Sequence, residues 1–177
     1  MRHRLLILTA LMAAALTTTA AALAGNLTAT ATVAGTAGIS LSLPTGPSLT
    51  STLDGTDQTV SYSPLLGVID ARGGGAGWNL QISATTFADG FGHSLAAGQV
   101  SSVASACTGG GTCTAPTSSG ITYPLAISGT AGAFFSAAVN TGLGKVNVTP
   151  SIDIVIPGNA FAGTYTSTVT LAATTGP

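Results

Sequence analysis

The sequence predicts an all-β protein, an antiparallel two-sheet β-sandwich forming one domain with glycine-rich loops. Three observations predict it. Apolar and polar residues alternate with a period of two through several segments, as they do in half-buried strands. Helix-forming Glu, Lys, Arg and Gln are nearly absent after the N-terminal stretch, whereas Thr and Ser, which tolerate a pleated surface, are plentiful. Some nine or ten short strand-like runs are separated at regular spacing by glycine and proline turns, without a helical segment of useful length or a repeat of fixed period.

The N-terminus does not belong to that pattern. Met1 to Arg4 is basic, Leu5 to Leu16 is almost entirely apolar, and Ala22-Leu23-Ala24 puts small residues at the two positions a signal peptidase reads. Residues 1–24 therefore read as a secretory signal peptide cut before Gly25, and residues 25–177 as the mature sandwich domain. A membrane anchor would need roughly 20 apolar residues, and Thr17-Thr18-Thr19 interrupts this run sooner. Asn26 stands where a lipoprotein box would need cysteine. The expected product is secreted, with no membrane contact after cleavage.

Removing 24 of the 177 residues leaves 153, enough for one ordinary domain. Its charges are Arg72 and Lys145 against Asp54, Asp57, Asp70, Asp89 and Asp153, a net of −3 with no glutamate. Nucleic acid and acidic membranes are poor partners for such a chain. Cys107 and Cys113 flank Thr108-Gly109-Gly110-Gly111-Thr112, and in an exported protein that pair reads as a disulfide clipping a glycine-rich loop. No third or fourth ligand lies near them in sequence, so neither a metal nor another cofactor is expected.

In chain order, Asn26 to Val33 reads as the first strand, with Leu27, Ala29, Ala31 and Val33 on one face and threonines on the other. Ile39 to Leu43 repeats the alternation until Pro44, in a proline-glycine turn, stops it. Asp54-Gly55 marks a turn; Asp54 and Asp57 are too few oxygens for a calcium loop. Val60 to Tyr62 starts a strand that Pro64 interrupts and Leu65 to Ile69 continues. Trp78, Leu80, Ile82 and Ala84 share the apolar face of the next one. Further strand-like runs follow at Leu95 to Val103, at Ile121 to Ile127 around Pro124, and at Phe134-Phe135. Lys145 to Thr149 and Ser151 to Ile156 alternate on either side of Pro150, which suits an edge or bulged strand. Gly163-Thr164 is expected to enter the last strand, with Tyr165, Ser167, Val169 and Leu171 facing one way. Without an apolar tail before Pro177, neither sortase attachment nor a C-terminal membrane anchor is expected.

Catalytic chemistry finds little support. His93 is the sole histidine of the mature chain, no Gly-x-Ser-x-Gly elbow accompanies it, and the aspartates are scattered. No catalytic residue and no enzyme activity are expected. Glycines 73 to 75 precede a strand rather than a helix N-terminus, so they read as a loop with unusual backbone angles and not as a phosphate cradle. Asp70 and Arg72 point to one face of an extended segment and are expected to pair, or to leave the guanidinium bonded to loop carbonyls. Trp78 could stack on a sugar ring, but its apolar face favours the core.

Two stretches carry a resemblance to a known family. Val68-Ile-Asp70-Ala-Arg72-Gly73 followed by Gly77-Trp78-Asn79-Leu80 resembles the proximal motif of the WxL domain, a secreted module of Gram-positive cell surfaces. Ile156-Pro157-Gly158-Asn159-Ala160, Ala162-Gly163-Thr164-Tyr165 and Thr168-Val169-Thr170 resemble its closing segment. The family's closing strand usually carries a second Trp-x-Leu, where this chain has Leu171-Ala172-Ala173. The resemblance implies a non-catalytic β-sandwich at the cell surface that associates non-covalently with the cell wall, with the wall glycan peptidoglycan as ligand. It makes Asp70, Arg72, Gly77, Trp78, Leu80 and Tyr165 the family-motif residues and the candidates for wall binding. The alternative reading is a structural subunit of a surface fibre or multiprotein surface complex, with other surface proteins as partners.

Overall fold

The longest alternating run in the sequence forms the longest strand. In the computed structural model, which describes residues 30–36, 38–118 and 120–177, β10 (Gly144–Ile156) buries Val146, Val148, Pro150, Ile152 and Ile154 on one face. It organises the larger sheet. One edge pairs antiparallel with β7 (Gln99–Cys107), and the other pairs with β3 (Leu66–Asp70) along its first half and β2 (Gln58–Tyr62) along its second. β1 (Ile39–Ser42) extends the sheet beyond β3, and the two-residue β8 (Leu125–Ala126) extends it beyond β7.

Two prolines explain the break between β2 and β3. Val148 faces Leu66 and Ile152 faces Tyr62, so the same register carried across the gap sets Pro64 opposite Pro150. Neither residue has an N–H to donate. Pairing therefore lapses there while β10 runs on, held along its other edge by β7. The expectation of an edge strand around Pro150 is thus corrected: β10 is central, and Pro150 is fully buried. The expected bulge is present one residue later, where Ser151 faces Ser102 but Ile152 faces Val100. Ser101 is the extra residue, and its hydroxyl donates to the Ser151 carbonyl at 3.2 Å.

The smaller sheet is centred on β4 (Trp78–Ala84), with β11 (Val169–Thr175) on one side and β9 (Gly132–Ala137) on the other. The alternation of β4 puts Trp78, Leu80, Ile82 and Ala84 into the core. A bulge in β9 pairs Leu80 with Phe135 and Gln81 with Ala133, leaving Phe134 as the inserted residue. Both phenylalanines are buried as a result. The two sheets pack through these residues against Leu66, Val68, Val100, Val146, Val148 and Ile152. A hairpin of β5 (Phe87–Ala88) and β6 (Ser94–Leu95) brings the strands among the described residues to eleven, more than the sequence suggests because three have only two residues.

Two expectations at the ends of the chain are corrected. Thr30 to Val33 is exposed and lies in no strand, while Asn26 to Ala29 and the expected signal peptide lie outside the described residues. The expected strand at Ile39 is present as β1, at the edge beside β3. The last strand begins at Val169, not Thr164. Before it, the chain follows Thr85 to Ala88 through a single bridge between Ala88 and Thr166 and a Thr85 N–H donated to the Thr168 carbonyl at 3.1 Å. Among the described residues, Val33–Pro177 forms one compact unit.

Candidate functional site

Five of the six motif residues meet at one end of the sandwich. Asp70 closes β3 with a carboxylate that is 2% exposed, and the chain then turns so that Arg72 returns to it. The guanidinium grips the carboxylate with two bonds, Nε to Oδ1 at 2.9 Å and Nη2 to Oδ2 at 2.8 Å. It also donates to the Gly77 carbonyl at 2.7 Å and to Thr175 Oγ1 at 3.0 Å. Arg72 therefore links the end of β3 in one sheet to the start of β4 and the end of β11 in the other. Its hydrogen bonds hold the Asp70 carboxyl below the usual carboxylate range, against the opposing effect of burial.

The glycine loop between them lets the start of β4 lie close against the end of β9 in the smaller sheet. Gly73, Gly75 and Gly77 have positive φ, and a Cβ on Gly77 would strike the Ala137 carbonyl oxygen. Trp78 follows with no exposed surface. Its indole Nε1 donates to the Gly142 carbonyl at 3.0 Å, and its ring lies 5.8 Å from Phe135, tilted by 44°. Neither face of the indole is open to a ligand. Leu80 is equally internal. This end of the molecule is built for cohesion between sheets.

Tyr165 is not brought to that cluster. Asp70 faces Gly144 at the start of β10, whereas Tyr165 lines a groove whose floor includes Ile152, Ile154 and Ile156 at the opposite end of that strand. The groove has a volume of about 990 Å³. Val60 and Tyr62 of β2 complete its floor, Leu171 and Val169 of β11 form one wall, and an irregular strap, Leu43 to Leu53, forms the other. Pro44 ends β1 and Pro47 follows, so the strap runs on from β1 without a ladder. None of the backbone–backbone hydrogen bonds between described residues involves Leu43 to Thr56. Side chains tether it instead: Gln58 Nε2 donates to the Thr52 carbonyl at 2.6 Å, and Ser51 bonds to Gln58 Oε1.

At the mouth of the groove is an aromatic platform that sequence reasoning missed. Phe161, 62% exposed, stacks on His93 with centroids 3.9 Å apart and planes within 14°. Asp89 fixes the imidazole through a 2.5 Å contact to Nδ1 and takes the Phe91 and His93 backbone N–H groups at 2.8 and 3.1 Å. Burial pushes the Asp89 carboxyl up, but these hydrogen bonds outweigh it and leave the carboxyl below its ordinary value. Tyr165 donates its hydroxyl to the Phe161 carbonyl at 2.9 Å, supporting the same loop, and Phe91 projects from the neighbouring hairpin 88% exposed. The available signal was a lone phenylalanine between alanines just after a proline-glycine turn.

The aspartates are all occupied in holding backbone or side chains. Beyond Asp70 and Asp89, Asp54 takes the Thr56 N–H at 2.9 Å, Asp57 takes the Gly158 N–H at 2.8 Å and Asp153 takes the Ser61 hydroxyl at 2.7 Å. Among the described residues no hydroxyl or thiol bonds to the second nitrogen of His93, and no three His, Cys or Asp side chains gather as a metal set. Cys107 and Cys113 form the expected disulfide, with Cα atoms 5.7 Å apart.

A search of curated proteins and of solved structures finds no match to the chain. A family model does match residues 28–174, and its description is WxL domain surface cell wall-binding. That span takes in nearly all of both sheets, the Asp70–Arg72 pair and the groove, and the chain belongs to the WxL domain family of surface cell wall-binding modules.

Proposed function

We propose that the protein is a secreted, non-catalytic surface protein that holds to the bacterial cell wall without a covalent link, with peptidoglycan as its ligand. Membership of a cell wall-binding family supports wall association. The observation that carries the rest is the division of labour between the aromatic residues. Trp78 is enclosed in the core, whereas Phe161 stands in solvent at a groove rimmed by Thr and Ser hydroxyls and Phe91 is exposed on the hairpin that carries its stacking partner His93. The π-face of an exposed ring attracts the C–H face of a sugar, and hydroxyls around it can exchange hydrogen bonds with sugar hydroxyls. The engagement of every aspartate in local structure supports the non-catalytic reading.

The test is cosedimentation of the secreted chain with purified peptidoglycan sacculi. The expected result is protein in the pellet at moderate salt, reduced by loss of Phe161. Protein that stays in the supernatant overturns the reading.

A further inference from the structure

The groove has an open ladder along it. β2 pairs with β10 on one side only. On its other side the strap carries Pro44, Gly46 and Pro47 and supplies no backbone bond to it. Within β2, Val60 and Tyr62 face the groove and Thr59 and Ser61 face solvent. A strand added beside β2 would find unpaired backbone groups on one side and, through every second residue, an apolar cavity below.

The chain itself contains a segment of that description. Asn26 to Val33 reads Asn-Leu-Thr-Ala-Thr-Ala-Thr-Val, with small apolar residues at alternate positions, no charge and no proline. Its described part, Thr30 to Val33, is in no sheet, and Val33 is 91% exposed. Small side chains at Ala29 and Ala31 suit a groove already bordered by Tyr62, Tyr165 and Leu171.

The positions of donor and acceptor decide which copy is served. The segment leaves the sandwich at Thr36, whose N–H is held by the Ala71 carbonyl at 2.9 Å, next to the Arg72 linkage. The groove lies at the other end of β10, past Ile152. From Gly144 to Ile156 the strand spans about 40 Å, and eight extended residues span about 26 Å. A segment that must itself lie in the groove has no length left to cross its own molecule. A donor at one pole and an acceptor at the other make a heterologous contact, which propagates instead of closing as a dimer.

We propose that Asn26–Val33 of one copy adds as a strand to the free edge of β2 in a second copy, displacing the strap and joining the proteins head to tail. The occupant of the groove is then a second copy of this chain.

The experiment compares the chain beginning at Gly25 with one beginning at Ala34, the latter retaining nearly all of the compact unit. Sedimentation velocity across rising concentration is expected to show growing linear oligomers for the first and a monomer for the second. Ala29→Asp and Ala31→Asp, both outside the compact unit Val33–Pro177, are expected to raise the concentration needed for assembly at least tenfold. A labelled synthetic peptide of residues 26–33 is expected to bind the shortened chain and protect the amides of Gln58 to Tyr62 from hydrogen exchange. A monomer at every concentration for the longer chain, equal assembly of the shortened one, or peptide protection at another edge or at none overturns the proposal. Retention of the shortened chain on sacculi separates this outcome from the wall-binding reading, since the aromatic platform remains.

Discussion

Trp78 donates its indole N–H to the carbonyl of Gly142, 64 residues away in the chain, at 3.0 Å inside a fully buried site. The most conspicuous residue of the family motif therefore spends its one polar atom on closing the loop after β9. A Cβ at residue 142 would lie 2.6 Å from that nitrogen and from the Ala137 Cβ, and φ there is +70°. Gly142→Ala is expected to cost about 1 to 3 kcal/mol through overpacking alone. Trp78→Phe leaves a buried carbonyl unpaired, also about 1 to 3 kcal/mol, and Trp78→Ala should cost about 3 to 5 kcal/mol. Urea unfolding measures all three. Unchanged stability in Trp78→Ala would contradict the core role.

The Asp70 and Arg72 pair should appear in the pH dependence of stability. The folded carboxyl is held below its ordinary value, so its contribution is complete above the unfolded value of about 4 and is lost as pH falls through the folded one. Asp70→Asn is expected to be less stable at neutral pH and to lose less stability than the parent on acidification below about pH 4. Arg72→Ala strands a buried carboxylate and should cost about 3 to 5 kcal/mol. Denaturant titrations at neutral and acid pH test this; parallel pH profiles for parent and Asp70→Asn would exclude it.

Reducing the disulfide should destabilise the domain without dismantling it. Closing so short a loop is worth roughly 2 to 3 kcal/mol in the chain-entropy account. The ends are also held by Thr108 N–H to the Lys145 carbonyl and Thr114 N–H to the Leu143 carbonyl, both at 3.0 Å. A double Cys107→Ser, Cys113→Ser variant is expected to keep the β circular-dichroism spectrum while its melting temperature falls. Loss of the spectrum would show that the bridge is required for folding.

Removal of the exposed rings should separate binding from folding. Phe161→Ala and Phe91→Ala take away solvent-facing surface and are expected to change stability by less than about 0.5 kcal/mol, the ordinary range for surface sites. Retention on sacculi should fall about five- to tenfold, a loss of roughly 1 to 1.4 kcal/mol of binding. Equal retention by both variants and the parent would remove the platform from the binding surface.

The all-β class, the apolar faces of β1, β4 and β10 and the pairing of Cys107 with Cys113 were legible in the order of residues alone. These are consequences of period-two alternation and short-range spacing, which act within a few residues. The sequence also carried the motif that places the chain in its family. The pairings between distant segments emerged only from long-range packing. Pro150 read as the mark of an edge or a bulge; β10 is bulged but central, because the register brings Pro64 opposite Pro150 and β7 supports the other side. Phe134 turns inward because a bulge against β4 absorbs one residue. Tyr165 falls at the far pole from Arg72, and Phe161 meets His93 across 68 residues of chain. Alternation says which residues share a face; it is silent on which strand each face will meet, because that depends on packing and backbone pairing summed over the whole sandwich.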